Sequence, residues 1–111
     1  MPFIHYDQIE KELVTPKHST AYGALASGEH IEVGYLSFKA GEGAEPHRHP
    51  HEQIVVVLSG RIRARLGDEE QEIGPGSGFH ASPDLLHGVT AIEDTEVISC
   101  KNVIGGVGHR I

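Results

Sequence analysis

From residue 31 onward the chain alternates short apolar or in-and-out runs with turn signals: IEVGYLSF, GEGAEP, QIVVVL, SG, RIRARL, GDEEQ, EI, GPGSG and ASPD. Runs of this length, recurring at this spacing, predict strands of an all-β sandwich or barrel. In RIRARL the residues Ile62, Ala64 and Leu66 share one face, and Arg61, Arg63 and Arg65 share the other. One side therefore meets a core, while the arginine row reads as a solvated sheet face. VLSGRI and RLGDEEQEI each read as strand, tight turn, strand, with Gly60 and Gly67 giving the turns their backbone freedom. The sheet is expected to be largely antiparallel. YDQIEKELV at 6–14 fits a helix or a short strand with a turn equally well. The tail VIGGVGHRI either extends freely or folds over an edge strand, and its GGVG lacks the strand and helix context of a phosphate loop. With no repeat or linker, residues 1–111 are expected to form one domain, with a core from about 3 to about 103 and a glycine-rich tail at 104–111.

Composition narrows the class. A chain of 111 residues, 38% of them hydrophobic, suffices for one modest core. No apolar stretch approaches the roughly 20 residues of a membrane-spanning helix, so a soluble protein without membrane partners is expected. The first residues, MPFIHYDQIEKELV, lack the basic start, apolar middle and cleavage site of a secretory signal. A single cysteine, Cys100, can form no internal disulfide, and the expected location is the cytoplasm. The net charge of -7, from 16 acidic against 9 basic residues, provides no broad positive field, which argues against a nucleic-acid partner. The 9 histidines point instead to metal chemistry.

PHRHPHEQIVVVLSG at 46–60 concentrates that chemistry. On an extended strand His47 and His49 point the same way, about 7 Å apart by strand rise, so both imidazoles can reach one ion. Pro50 cannot donate to a ladder and breaks the strand, so Gln53 opens the next one and faces inward with Val55 and Val57. SPDLLHGV offers His87 just after a proline turn. Four groups can thus converge inside a barrel.

These residues carry a family resemblance. GEGAEPHRHPHEQIVVVLSG resembles the first motif of the cupins: a glycine, five residues, His-x-His, a short gap, an acid, six residues and a glycine. Gly41, His47, His49, Gln53 and Gly60 match by spacing. GPGSGFHASPDLLHGV is similar to the second cupin motif, in which a proline turn precedes the last metal-binding histidine, here His87; Leu85 stands where a glycine is usual. The resemblance implies a double-stranded β-helix, or jelly-roll barrel, and one divalent transition metal per chain held by His47, His49, Gln53 and His87. Gln53 replaces the usual glutamate, so the donor set is neutral and a bound ion keeps its full charge as a stronger Lewis acid. Such nitrogen-rich ligands suit Mn, Fe, Co, Ni, Cu or Zn. The spacing differs from the two-histidine, one-carboxylate triad of many iron oxygenases, which leads away from that mechanism without excluding oxygen chemistry.

The HPHEQ segment is also similar to small cupins that open unsaturated sugar acids into linear keto forms in pectin degradation. In those proteins the final strand carries Asp-x-Phe and then an arginine that serve the reaction. Here Ser99-Cys100-Lys101 stand in the matching stretch, and the nearest arginine is Arg110 in the tail.

The leading expectation is a metal-dependent enzyme acting on a small oxygenated substrate, a sugar acid or a keto or hydroxy acid, by Lewis-acid isomerisation or elimination. Lys101, which alternation places with Val97 and Ser99, and His80 are the candidate bases. Oxygen-dependent cleavage of an enediol or diketone, and a module that captures its ligand unchanged, are the rivals; a pocket that has lost its metal is the bland alternative. His51, between Pro50 and Glu52, is expected to be exposed or to stand behind the ligands, and Glu52 to face away unless the register shifts. Cys100 is expected to be inert. Exposed edge strands, the short chain and the resemblance together make a homodimer the expected assembly.

Overall fold

The computed structural model describes residues 2–111. The alternating runs form ten strands: β1 (Glu12–Leu13), β2 (Tyr22–Ser27), β3 (Ile31–Phe38), β4 (Gly43–His47), β5 (Gln53–Ser59), β6 (Ile62–Leu66), β7 (Glu69–Ile73), β8 (Gly78–Ala81), β9 (His87–Ala91) and β10 (Thr95–Asn102). They divide into a six-stranded sheet, β1-β2-β3-β10-β5-β8, and a four-stranded sheet, β4-β9-β6-β7. Every paired neighbour is antiparallel. Leu36, Val55 and Val97 of the large sheet pack with Ile62, Ile73 and Ala91 of the small one, so the core lies between the sheets of a jelly-roll barrel.

The 6–14 segment is not a helix of any length. It forms a 3-10 turn at Tyr6–Gln8 followed by β1, because its apolar residues are too few to bury a helical stripe. The turn is tied down by Tyr6, whose hydroxyl donates to the Val33 carbonyl at 2.8 Å. RLGDEEQEI is the expected hairpin, β6 against β7. VLSGRI is a turn but not a hairpin, since β5 and β6 belong to different sheets. Gly60 carries the chain across with φ of +86°, and a Cβ there would stand 2.3 Å from the Asp94 carbonyl oxygen. Only glycine fits that corner. The arginine row lies on the outer face, where Arg61 and Arg63 both approach Glu72, at 2.7 and 3.8 Å.

Central strand β10 sets the polarity of the barrel interior. Its inward positions run Val97, Ser99, Lys101, from apolar to charged. Lys101 pairs in register with Glu32 of β3 on one side and Gln53 of β5 on the other. One end of the barrel is therefore hydrocarbon and the other carries polar chemistry. The tail, expected either to extend freely or to fold over an edge strand, closes this polar end: an Ile104–Val107 bridge reverses the chain and His109 is 2% exposed. Arg110 then reaches Glu12 of edge strand β1 at 2.7 Å.

Candidate metal centre

Three elements bring the histidines together. In the ladder between β4 and β9, His47 lies opposite His87, after a register irregularity between Ala44 and His47. His49 sits in the connection that follows β4, and Pro50 turns the chain so that Gln53 becomes the first residue of β5. One ring nitrogen from each of His47, His49 and His87 lies within 4.8 Å of the other two. Gln53 Oε1 is 3.2 Å from His49 Nε2.

The backbone fixes which nitrogens converge. His47 Nδ1 faces the Glu45 carbonyl at 2.7 Å, His49 Nδ1 the His51 carbonyl at 2.9 Å, and His87 Nδ1 the Leu85 carbonyl at 2.8 Å. A carbonyl only accepts, so each Nδ1 carries the hydrogen and each Nε2 is left with a bare lone pair. Burial opposes a second proton. Desolvation, reinforced by Lys101 and His87, lowers the pKa of His49 to about 4; desolvation likewise holds His47 and His87 below the usual histidine range.

At His49 this leaves an acceptor facing an acceptor, because the Nε2 lone pair meets Gln53 Oε1 with no hydrogen between them. Turning the amide round would require Ser99 Oγ, 2.9 Å from Gln53 Nε2, to donate to it, and that hydroxyl's one hydrogen is taken by His109 Nε2, also 2.9 Å away. Opposed lone pairs repel unless a cation lies between them. The donor set therefore fits a divalent metal, with the backbone carbonyls holding each imidazole in the tautomer a metal needs.

His47, Gln53, His87, Ser99, Lys101 and His109 are among the polar residues that line a cavity of about 60 Å³, and Leu36, Phe38, Val55 and Phe79 are among the apolar ones. Lys101 is 4% exposed, and among the described residues it forms no ion pair. Desolvation lowers its pKa to about 8, with Glu32 acting weakly in the other direction.

The structure thus assembles His47, His49, Gln53, His87 and Lys101, and it leaves His80 outside. His80 pairs with Ile54 in the β5–β8 ladder, and its neighbour Ala81, fully buried, takes the inward position. On the outer face His80 Nε2 meets Glu52 Oε2 at 2.6 Å. Strand parity thus places His80 outside the cavity. Glu52 faces away as expected, and no register shift returns a carboxylate to the site. His51 is buried rather than exposed, because the tail covers it and the Val107 carbonyl lies 2.7 Å from its Nε2. Its own carbonyl orients His49. Arg110 points to Glu12 and not into the cavity.

Sequence reasoning missed three residues. His18 stacks on His47 with centroids 5.0 Å apart and planes 3° from parallel. His109 and Glu32, both buried, meet at 2.5 Å and join Ser99 behind the site. Lone polar residues in a loop, a tail and a strand carry no local signal of such contacts. The inward position of Glu32 beside the apolar Leu36 and Phe38 was the one available hint.

Comparison with known proteins agrees with this architecture. The sequence profile of the Cupin domain family matches residues 34–99. An RmlC-like cupin from Shewanella frigidimarina superposes with a TM-score of 0.83 at 17% identity, covering 95% of this chain and 93% of that one. KdgF from Halomonas sp. gives 0.80 at 26% identity, with coverages of 92% and 93%. The polyketide cyclase RemF from Streptomyces resistomycificus gives 0.80 at 16% identity, with coverages of 100% and 85%. Among curated proteins none matches the sequence.

Proposed function

Starting from a chain that belongs to the Cupin domain family, we propose that His47, His49, Gln53 and His87 hold one divalent transition metal and that the protein is a metal-dependent enzyme for a small carboxylate-bearing substrate. The observation that carries the reading is the opposed pair of lone pairs on His49 Nε2 and Gln53 Oε1, beside two further imidazoles in the same tautomer. When bound, the metal supplies Lewis acidity at a substrate oxygen.

The chain supplies the rest. Three imidazoles and an amide bring no negative charge to the donor set, and Lys101, with Glu32 beside it in register, forms no ion pair, so a divalent cation held there would make the cavity attract an anion. A sugar acid or a keto or hydroxy acid answers that requirement. Lys101 is the group that moves a proton. Its pKa near 8 leaves a usable fraction of free amine at neutral pH, which suits a general base. Leu36, Phe38, Val55 and Phe79 set an apolar wall beside these groups. Isomerisation or elimination follows from such proton movement beside a carbonyl. The arginine and Asp-x-Phe of the sugar-acid-opening cupins have no equivalents in this cavity, so the substrate of that branch is not assigned.

The outer face of the six-stranded sheet supports a homodimer. Val33, Cys100 and Ile54 form one row across it and Tyr35, Ile98 and Val56 the next, with Ile54 and Tyr35 exposed. The unpaired cysteine supports a cytoplasmic setting, and among the described residues no helix is long and apolar enough to cross a membrane.

Proton movement can be read directly, whatever the product. Metal-loaded protein incubated in D2O with a panel of 2-oxo and 2-hydroxy carboxylates should exchange a substrate C–H for C–D by NMR, and Lys101→Met should slow that exchange at least about 100-fold. Oxygen consumption without exchange would favour the dioxygenase reading. Tight binding with neither would favour capture.

A further inference from the structure

Gln53 can serve a cation only through Oε1, because its other amide atom carries two N–H donors. A network of hydrogen bonds behind the site decides which end faces the histidines. It begins at Glu32, a buried carboxylate on β3. Its Oε2 accepts from Ser27 Oγ at 2.5 Å, and its Oε1 accepts from the His109 backbone N–H at 2.6 Å and from His109 Nδ1 at 2.5 Å. Gly108 permits this approach, since a Cβ there would stand 2.5 Å from Glu32 Oε1.

Polarity then propagates in one direction. A carboxylate can only accept, so the His109 hydrogen resides on Nδ1 and Nε2 becomes an acceptor. Ser99 Oγ, 2.9 Å away, gives its hydrogen to that nitrogen. The remaining lone pairs of Ser99 receive Gln53 Nε2–H, also at 2.9 Å. With its nitrogen committed, Gln53 turns Oε1 toward His49. Desolvation, and then the charge of Lys101, lowers the pKa of His109 to about 4, so the ring is neutral at physiological pH and keeps the acceptor.

We propose that Glu32, His109 and Ser99 form a positioning relay through which the C-terminal tail orients the Gln53 amide, presenting its carbonyl oxygen to the metal site. A carboxylate at position 53 has two equivalent oxygens and needs no such device, whereas an amide presented backwards offers only donors. The relay rests on the metal reading of the site.

The measurement is the affinity of the metal-free protein for Co2+, by titration calorimetry and by the visible d–d spectrum, in a double-mutant cycle. Ser99→Ala and His109→Phe should each weaken Co2+ binding by about 10 to 100-fold. Together they should cost no more than either alone, because they break one chain. In the Gln53→Glu background the same changes should cost less than about 3-fold, and Ser99→Thr, which keeps the hydroxyl, should bind like the unaltered chain. Circular dichroism verifies folding; because His109→Phe strips a partner from a buried carboxylate, Ser99→Ala is the deciding variant. Equal losses in both backgrounds would overturn the relay in favour of general loosening, as would no loss at all in a protein that does bind Co2+. Failure of the unaltered chain to bind Co2+ would overturn the metal reading and the relay with it.

Discussion

At Lys101 the proposed role as a base and the stability of the fold oppose each other. Its pKa falls from 10.5 to about 8 in the folded chain, so folding disfavours the ammonium and its burial costs stability at neutral pH. Between about pH 8 and 10.5 the unfolded chain binds a proton that the folded one has released, and stability rises with pH across that window. Lys101→Met should therefore raise Tm at pH 7 by on the order of 5 °C and remove the rise above pH 8, while slowing proton exchange at least about 100-fold. An unchanged Tm would contradict the buried, unpaired cation. The histidines act in the acid range. His49 and His109 drop from 6.5 to about 4, so their contribution is complete above pH 6.5 and is lost as pH falls toward 4. Urea unfolding of the metal-free protein should weaken steadily over that interval; a flat profile would contradict neutral, buried rings. His47, His49, Gln53 and His87 were legible as a group because motif spacing and a proline turn mark them. The hydrogen-bond partners that set their tautomers were not, since the carbonyls of Glu45, His51 and Leu85 come from backbone geometry that residue identity does not encode.

Strand parity decides more than residue type at the scale of elements. Lys101 and His80 were both candidate bases, and β8 places Ala81 inward and His80 outward. Accordingly His80→Ala should leave Co2+ affinity unchanged and alter stability by less than about 0.5 kcal/mol, as for an exposed ion pair. A large loss of affinity would mean that β8 sits in another register. The tail behaves as an element as well. A chain ended after Ile104 would leave Glu32 without the two N–H donors of His109, and losing hydrogen bonds to a carboxylate should cost about 1.5 to 3 kcal/mol in urea unfolding. Stability equal to that of the full chain would show the tail to be dispensable. The two-residue alternation of β3, β5, β6 and β10 could be read directly from the sequence. The crossing at Gly60 could not, because a tight turn between strands looks alike whether it joins neighbours or changes sheets. The packing of the tail was equally hidden, since three glycines in four positions serve a tight reversal as well as a loose end.

For the whole molecule, the arrangement reads as a barrel with one hydrocarbon end and one chemical end, roofed by its own C-terminus. The outer face of the large sheet is the remaining unsatisfied surface, with Ile54, Leu58 and Tyr35 exposed. Ile98, at the centre of that face between Tyr35 and Val56, is the residue to alter. Sedimentation should give a dimer for the unaltered chain and a monomer for Ile98→Glu; a monomer in both would contradict the proposed assembly. All-β architecture was legible because turn signals recur between short apolar runs, whereas the division into six and four strands depends on long-range pairing. The proposed centre, four neutral donors around one cation, is tested by the metal content of untagged protein dialysed without chelator. One divalent ion per chain, about equimolar, absent from His49→Ala, is the expected result. No ion in the unaltered chain, even after loading with Mn, Fe, Ni or Zn, would contradict it.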